Sequence, residues 1–410
     1  MDFQTSKKII QQVAKQIHPG MIGENKWQLM AQLIEDQTDE FKLAIKKHFD
    51  AFLLHMKRLD ASDIDLGGPG CKGRIWFRIN GNKQPDKNLS EYSIEETDLL
   101  ISNLLTEQDQ SKLLQQRNLD FSYRVFDEKE NIWTRFRATI YFDLTHLAVN
   151  MRRINDQIIP FPHLGFNEHV AKVLSLKYQK SGLVLVTGIT GSGKSTTLDS
   201  IIDANNKTMA AHIVIISDPI EYVHTPIKSI VKHREIGRDV HSFKEGTIQA
   251  LRQDPDIIMI GEMRDAETIM TVLEVVDSGH KVFSTLHTSS AIESIDRIIG
   301  EIPTNEQNRI RTRLADVLTC VISQKLIPSQ DGKRILAKEL LLSNASVKTA
   351  IRNNNIGEIY QIIHQSNDQG MVTMEQDLAR LHAENQISYF EAYINANNKK
   401  RFEELVKYTY

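Results

Sequence analysis

The stretch Gly188-Ile-Thr-Gly-Ser-Gly193-Lys194-Ser195 constrains this chain more than any other. It fits G-x-x-x-x-G-K-[ST], a loop whose backbone N–H groups wrap phosphate oxygens. The apolar run LVLVT (183–187) precedes it as a strand, and STTLDSIIDANN (195–206) follows as a helix. That context separates a true phosphate loop from a chance glycine-rich turn. Lys194 is placed to reach β- and γ-phosphates, and the Ser195 hydroxyl to ligate Mg²⁺. The helix that opens at Lys194 adds the positive end of its dipole. The nucleotide-binding candidates are therefore Gly188, Thr190, Gly191, Ser192, Gly193, Lys194, Ser195 and Thr196, with Ser195 the metal ligand. No guanine-reading N-K-x-D follows the loop, so ATP with Mg²⁺ is the expected pair.

The rest of the C-terminal half fits the same plan. HIVIIS (212–217), IIMIG (257–261) and KVFSTLH (281–287) are short apolar runs separated by helical stretches. Continuous apolar strands alternating with helices predict a parallel sheet covered on both faces. Beyond residue 300 the pattern turns mostly helical, with a hairpin over Lys325–Leu342 around Asp331-Gly332. Upstream, residues 60–150 read as an α+β domain. Its signals are a short strand near Arg74–Ile79 closed by Asn80-Gly81, helices over 93–117, and strands over 132–142 and 145–152. Pro160 and Pro162 stiffen a linker. The expected organisation is a helical extension (1–50), the α+β domain (51–155), a linker (156–166), a phosphate-loop domain (167–345) and a helical C-terminal region (346–410).

A phosphate loop alone does not give the reaction, and acidic strand ends must decide it. Glu262 follows IIMIG, and ligands gather at the carboxyl ends of parallel strands. It is the candidate to position the attacking water. The residue before it, Gly261, has no side chain to ligate a metal, so Mg²⁺ depends on Ser195, phosphates and water. Asp218 and Glu221 end the HIVIIS strand, where they either orient water or metal or simply solvate a turn. In the first domain, alternation puts Phe136, Ala138, Ile140 and Phe142 on one face and Arg135 and Arg137 on the other. The next strand sets Leu147, Val149 and Met151 opposite Asn150 and Arg152.

Composition narrows the class. The chain has 410 residues, which at roughly 150 per domain means two or three domains. A net charge of −3 argues against binding nucleic acid through bulk charge. Two cysteines, Cys71 and Cys320, cannot form a four-cysteine zinc site. The N-terminus is polar, and no uncharged apolar run approaches the ~18 residues of a membrane span. A soluble, cytoplasmic protein is expected.

These motifs together resemble the type II and type IV secretion and pilus ATPases, and most of all the pilus retraction ATPases. The resemblance rests on Ala61-Ser-Asp-Ile-Asp65, GITGSGKSTTL, ISDPIEYVH, ALRQDPDIIMIGEMRDAETI and GHKVFSTLHTSSAIESIDR, in family order. It covers roughly residues 50–395. It implies a homo-hexameric ring whose subunits pair a PAS-like N-terminal domain with a RecA-like ATPase domain. The ring would act on an inner-membrane pilus platform protein, peripheral to the inner membrane, with no nucleic acid involved. On this resemblance Arg137 and Arg152 match an arginine pair that reaches nucleotide, and Arg135 joins them as a nucleotide-binding candidate. His280 and His287 take nucleotide-sensing or subunit-coupling roles. The missing four-cysteine motif favours retraction over extension. Gly370–Leu378 resembles the C-terminal region of the retraction type, and Ala345–Arg352 loosely resembles its Ala-Ile-Arg-rich motif. Residues 1–50 exceed the usual N-terminus.

Overall fold

The computed structural model describes residues 3–21, 23–79, 81–154 and 157–407. The chain divides into two compact units, residues 1–156 and 157–410, with the division at the start of the expected linker.

The first unit opens with three helices, α1 (Phe3–Ala14), α2 (Gly23–Glu35) and α3 (Asp39–Arg58). Strands β1 (Asp63–Gly67), β2 (Trp76–Ile79) and β3 (Asn82–Pro85) follow, then helices α4 (Ile94–Ser102) and α5 (Glu107–Gln116). Three long strands close it: β4 (Asn118–Asp127), β5 (Ile132–Asp143) and β6 (His146–Arg153). The helix starts are set locally. Ser93 with Glu96 and Thr106 with Asp109 form reciprocal capping boxes that satisfy otherwise orphaned N–H groups. The six strands form one antiparallel sheet in the order β3-β2-β1-β6-β5-β4. The predicted alternation holds: Phe136, Ala138, Ile140, Leu147, Val149 and Met151 are buried, while Arg137 and Arg152 are exposed.

Two sequence expectations need correction here. The expected boundary at 50/51 falls inside α3, whose Phe49, Phe52 and Leu53 share a core with Ile10, Met30 and Phe136. An amphipathic helix that buries one continuous stripe cannot be cut there, and the N-terminal helices belong to the same core as the sheet. Strand β4 was not anticipated, although its Leu119, Phe121 and Val125 alternate and are buried. Asn80 of the expected hairpin turn lies outside the described residues; Gly81 beside it has φ 83°.

The second unit begins with α6 (Glu168–Leu174), β7 (Gly182–Thr187), α7 (Lys194–Thr208), β8 (His212–Ser217) and β9 (Ile230–Glu235). It continues through α8 (Phe243–Leu251), β10 (Ile257–Ile260), α9 (Ala266–Asp277), β11 (Lys281–Leu286), α10 (Ala291–Gly300) and α11 (Gln307–Val317). A hairpin of β12 (Leu318–Pro328) and β13 (Arg334–Leu342) precedes α12 (Ala345–Arg352), α13 (Ile359–Gln365), α14 (Met374–Ala383), α15 (Tyr389–Asn395) and α16 (Lys399–Lys407). The sheet order is β13-β12-β7-β11-β10-β8-β9, parallel except for β13. Leu183 and Leu185 of β7 face one apolar core, and Val184 and Val186 face the other. Burial on both faces explains why these strands read as unbroken apolar runs.

The expected boundary at 345/346 is also displaced. Val347, Ala350, Ile351, Ile359 and Ile363 of α12 and α13 belong to the same core as β7 and β10. A smaller core forms later, around Met374, Leu378, Leu381, Ile387 and Phe402.

Candidate active site

Parallel register brings four strand ends to one edge of the second sheet. Thr187 pairs with Leu286, Ile260 with Ser284, and Ile216 with Ile260. The chain leaves β7, β8, β10 and β11 there as Gly188–Gly193, Asp218–Glu221, Gly261–Glu262 and His287.

Three glycines shape the loop between β7 and α7. Gly188, Gly191 and Gly193 have φ of 150°, 81° and 90°, a region that side chains rarely tolerate. A Cβ at Gly188 would also strike the Ser192 hydroxyl and the Gln324 carbonyl. Lys194 is nearly buried and donates through Nζ to the carbonyls of Gly188 at 2.8 Å and Ile189 at 3.2 Å. Burial pulls its ammonium below the ordinary lysine range, while the charges of Glu262 and Glu221 pull it back up. Both carboxylates therefore act on the loop lysine. Ser192 Oγ is buried with no hydrogen-bond partner, an orphan that a phosphate oxygen would satisfy. Thr190 and Thr196 are exposed at the loop and Ser195 is half-buried.

Glu262 is held from two sides. Its Oε2 accepts from Arg264 Nε at 2.7 Å, and its Oε1 lies 3.4 Å from His287 Nε2. His287 thus lies beside Glu262 at the strand ends. His280 does not. It sits at the amino end of β11, where Nδ1 meets Ser278 Oγ at 2.9 Å and the Val275 carbonyl at 3.2 Å. With the six residues of β11 between them, His280 and His287 stand ~23 Å apart at ~3.3 Å per residue. Within this chain His280 stands away from the phosphate loop and ties the α9–β11 turn.

Two supporting residues were not anticipated. Arg264 was visible two positions after Glu262, but its role needed the fold. Gln324 had no local signal. It comes from β12 and donates through Nε2 to the Ser192 carbonyl at 2.8 Å, bracing the loop from the neighbouring strand. Thr187 Oγ1 donates to Ser323 Oγ at 2.9 Å and ties the same two strands.

The arginines belong to the first unit. Arg137 pairs across strands with Arg152, Arg152 with Asp63, and Asp63 with Arg78, so all four share one sheet face. Arg135 lies opposite Arg124. Among the described residues, no group of three His, Cys, Asp or Glu side chains could hold a metal. The donor set fits Mg²⁺ held through the Ser195 hydroxyl and phosphate oxygens.

Comparison with known proteins adds the family. Residues 39–405 match the family described as Type II/IV secretion system protein. The chain belongs to that family. It is 37% identical over 306 residues to the twitching motility protein of Neisseria gonorrhoeae, covering 74% of this chain and 79% of that one. It is 36% identical to the type IV pilus retraction ATPase PilT of Pseudomonas aeruginosa, over 80% of this chain and 92% of that one. The crystal structure of the pilus retraction motor PilT with bound ADP superposes with a TM-score of 0.78 at 37% identity, covering 87% of this chain and 98% of that one. The Legionella pneumophila ATPase DotB gives a TM-score of 0.69 at 26% identity, covering 85% and 95%. The fold expected from the motifs, a RecA-like P-loop core preceded by a smaller α+β domain, and the expectation of an ATP-hydrolysing enzyme of this family both stand. No helix among the described residues is long and apolar enough to cross a membrane.

Proposed function

We propose that this chain is an ATP-hydrolysing motor that powers type IV pilus retraction, working as a homo-hexamer on a platform protein at the inner face of the cytoplasmic membrane. One observation carries the enzymatic half. The Glu262 carboxylate is braced by Arg264, faces His287 and acts on Lys194 inside an intact phosphate loop. The loop's N–H groups and Lys194 bind and orient the phosphates. Glu262 orients the attacking water and accepts its proton as the bond to the terminal phosphorus forms and the bond to the bridging oxygen breaks. A Mg²⁺ held through Ser195 supplies charge neutralisation. Asp218 and Glu221 lie where a carboxylate orients water or the metal's water ligands. Arg137 and Arg152 contact phosphate through their guanidinium groups and neutralise its charge. The direction of work, withdrawal, rests on likeness to the retraction proteins. The family's description as Type II/IV secretion system protein supports a rival reading, a motor for export or assembly in a secretion system.

The chemistry is tested by measuring nucleotide affinity and phosphate release separately. Lys194→Ala loses nucleotide binding, because the loop loses its one cation. Glu262→Gln keeps binding and loses hydrolysis. Near-parental turnover in Glu262→Gln removes that carboxylate from the mechanism.

A further inference from the structure

Glu221 is exposed, yet buried contacts hold the chain on either side of it. Just before it, the Ile220 N–H donates to Glu235 Oε2 at 3.2 Å, and Glu235 is 5% exposed on β9. Three residues after it, His224 Nε2 lies 3.1 Å from Asp199 Oδ1 of α7. The His224 N–H donates to His233 Nε2 at 3.0 Å. The His224 ring is wholly buried, stacks on His233 at 6.0 Å and 11°, and meets Tyr222 edge-on at 4.8 Å. Its Nδ1 is buried without a hydrogen-bond partner, so the Asp199 contact alone orients the ring's polar edge. His233 accepts at Nε2, which places its proton on Nδ1. His233 and Glu235 are two apart on an extended strand and project to the same side.

The placement of Asp199 gives this cluster its meaning. It stands on α7, the helix that opens with Lys194. The acidic segment after β8 is thereby pinned to the element that carries the phosphate lysine. A solvated turn needs no buried imidazole and no buried carboxylate. Such groups are costly to desolvate and persist where geometry must be held.

We propose that Asp199, His224 and Glu235 are positioning residues that fix the Glu221 carboxylate relative to Lys194 during hydrolysis. This rests on the reading of Glu221 as a group that orients water or the metal's water ligands. None of the three touches substrate; each acts through Glu221. Misplacing a catalytic group by about 1 Å costs about 10²-fold in rate, and phosphate binding through the loop is left intact. The signature is a loss of kcat at unchanged KM.

The experiment is steady-state ATPase of the full chain with thermal melting of each variant. His224→Leu and Asp199→Ala are expected to lower kcat by about 10²-fold while the KM for ATP stays within about twofold. His224→Gln places an amide donor near the Nε2 position and Asp199→Asn keeps an acceptor, so both recover most of the turnover. Should His224→Leu fail to fold, the half-buried Asp199 position carries the same comparison. Glu221→Gln is run alongside. Parental turnover in Glu221→Gln overturns the reading of that carboxylate. A loss in Glu221→Gln with parental kcat in the Asp199 and His224 variants overturns the positioning role alone. So does a conservative variant no better than the truncation, or a kcat loss matched by a rise in KM.

Discussion

Arg152 shows what a single side chain does in this molecule. Its exposed head donates through Nε to Asp63 Oδ1 at 2.9 Å, and Arg78 Nε lies 3.4 Å from the other carboxylate oxygen. Burial pushes the Asp63 carboxyl up. Hydrogen bonds from Ser62 and Arg152 and the charges of Arg152 and Arg78 outweigh it and hold the carboxyl below the usual range. Two cations share Asp63, so loss of Arg152 still leaves Arg78 beside the buried carboxylate. Arginine contacts to the phosphates in motors of this class are worth about 10³–10⁵ in turnover. Arg137→Ala and Arg152→Ala are expected to assemble normally and lose most of their ATPase. Arg152→Lys is expected to recover little, because an ammonium cannot reproduce the planar fork of guanidinium. ATPase assays with sizing chromatography check this, and parental turnover in all three would return these arginines to a solvated strand face. At this scale the sequence was most legible where function is local. The phosphate loop and Glu262 sit within one short strand-loop segment each. Both ends of β11 carry a histidine, and only the parallel register shows that His287, not His280, is at the end that meets the loop.

Among elements, the helices before residue 59 were the least legible. Their polar pattern reads equally as an appendage or as packing helices, and Lys26 of α2 closes on Asp98 of α4 at 2.6 Å with both side chains at most 1% exposed. The Leu147 N–H donates to Asp98 Oδ1 at 2.7 Å, which ties β6 into the same cluster. No local signal marks such a lysine, since its partner lies far along the chain. His48 of α3 is a second case. It lies between Ser6 Oγ at 2.7 Å and Tyr92 Oη at 2.8 Å and stacks on Phe3. Burial, helped by the charge of Lys7 and opposed by the Phe3 carbonyl, lowers its pKa from 6.5 to about 4. The folded chain therefore keeps His48 neutral where the unfolded chain protonates it. Its contribution is fully present above pH 6.5 and is lost as pH falls toward about 4, by up to about 3 kcal/mol. Denaturant unfolding at several pH values is expected to show that slope in the parent and a shallower one in His48→Gln. Equal slopes would remove His48 from the pH dependence. The strands of the second unit were legible because burial on both faces leaves continuous apolar runs. β4 was missed although its alternation was present, and β9 because charged residues interrupt its pattern.

At the scale of the whole molecule, the two units divide the labour that the family resemblance anticipates. The second carries the phosphate loop and the Glu262 carboxylate proposed to orient water. The first carries an arginine-bearing sheet face and, in α1 and α2, helices that lie before the stretch matched by the family. The central claim is that ATP turnover here withdraws filaments rather than building them. The most direct measurement is surface piliation and twitching in a deletion strain, complemented with the parent chain or with Glu262→Gln. The account predicts a strain that displays pili but does not twitch, rescued by the parent and not by Glu262→Gln. A strain with no pili at all, or one that twitches normally while losing export of secreted proteins, would contradict it.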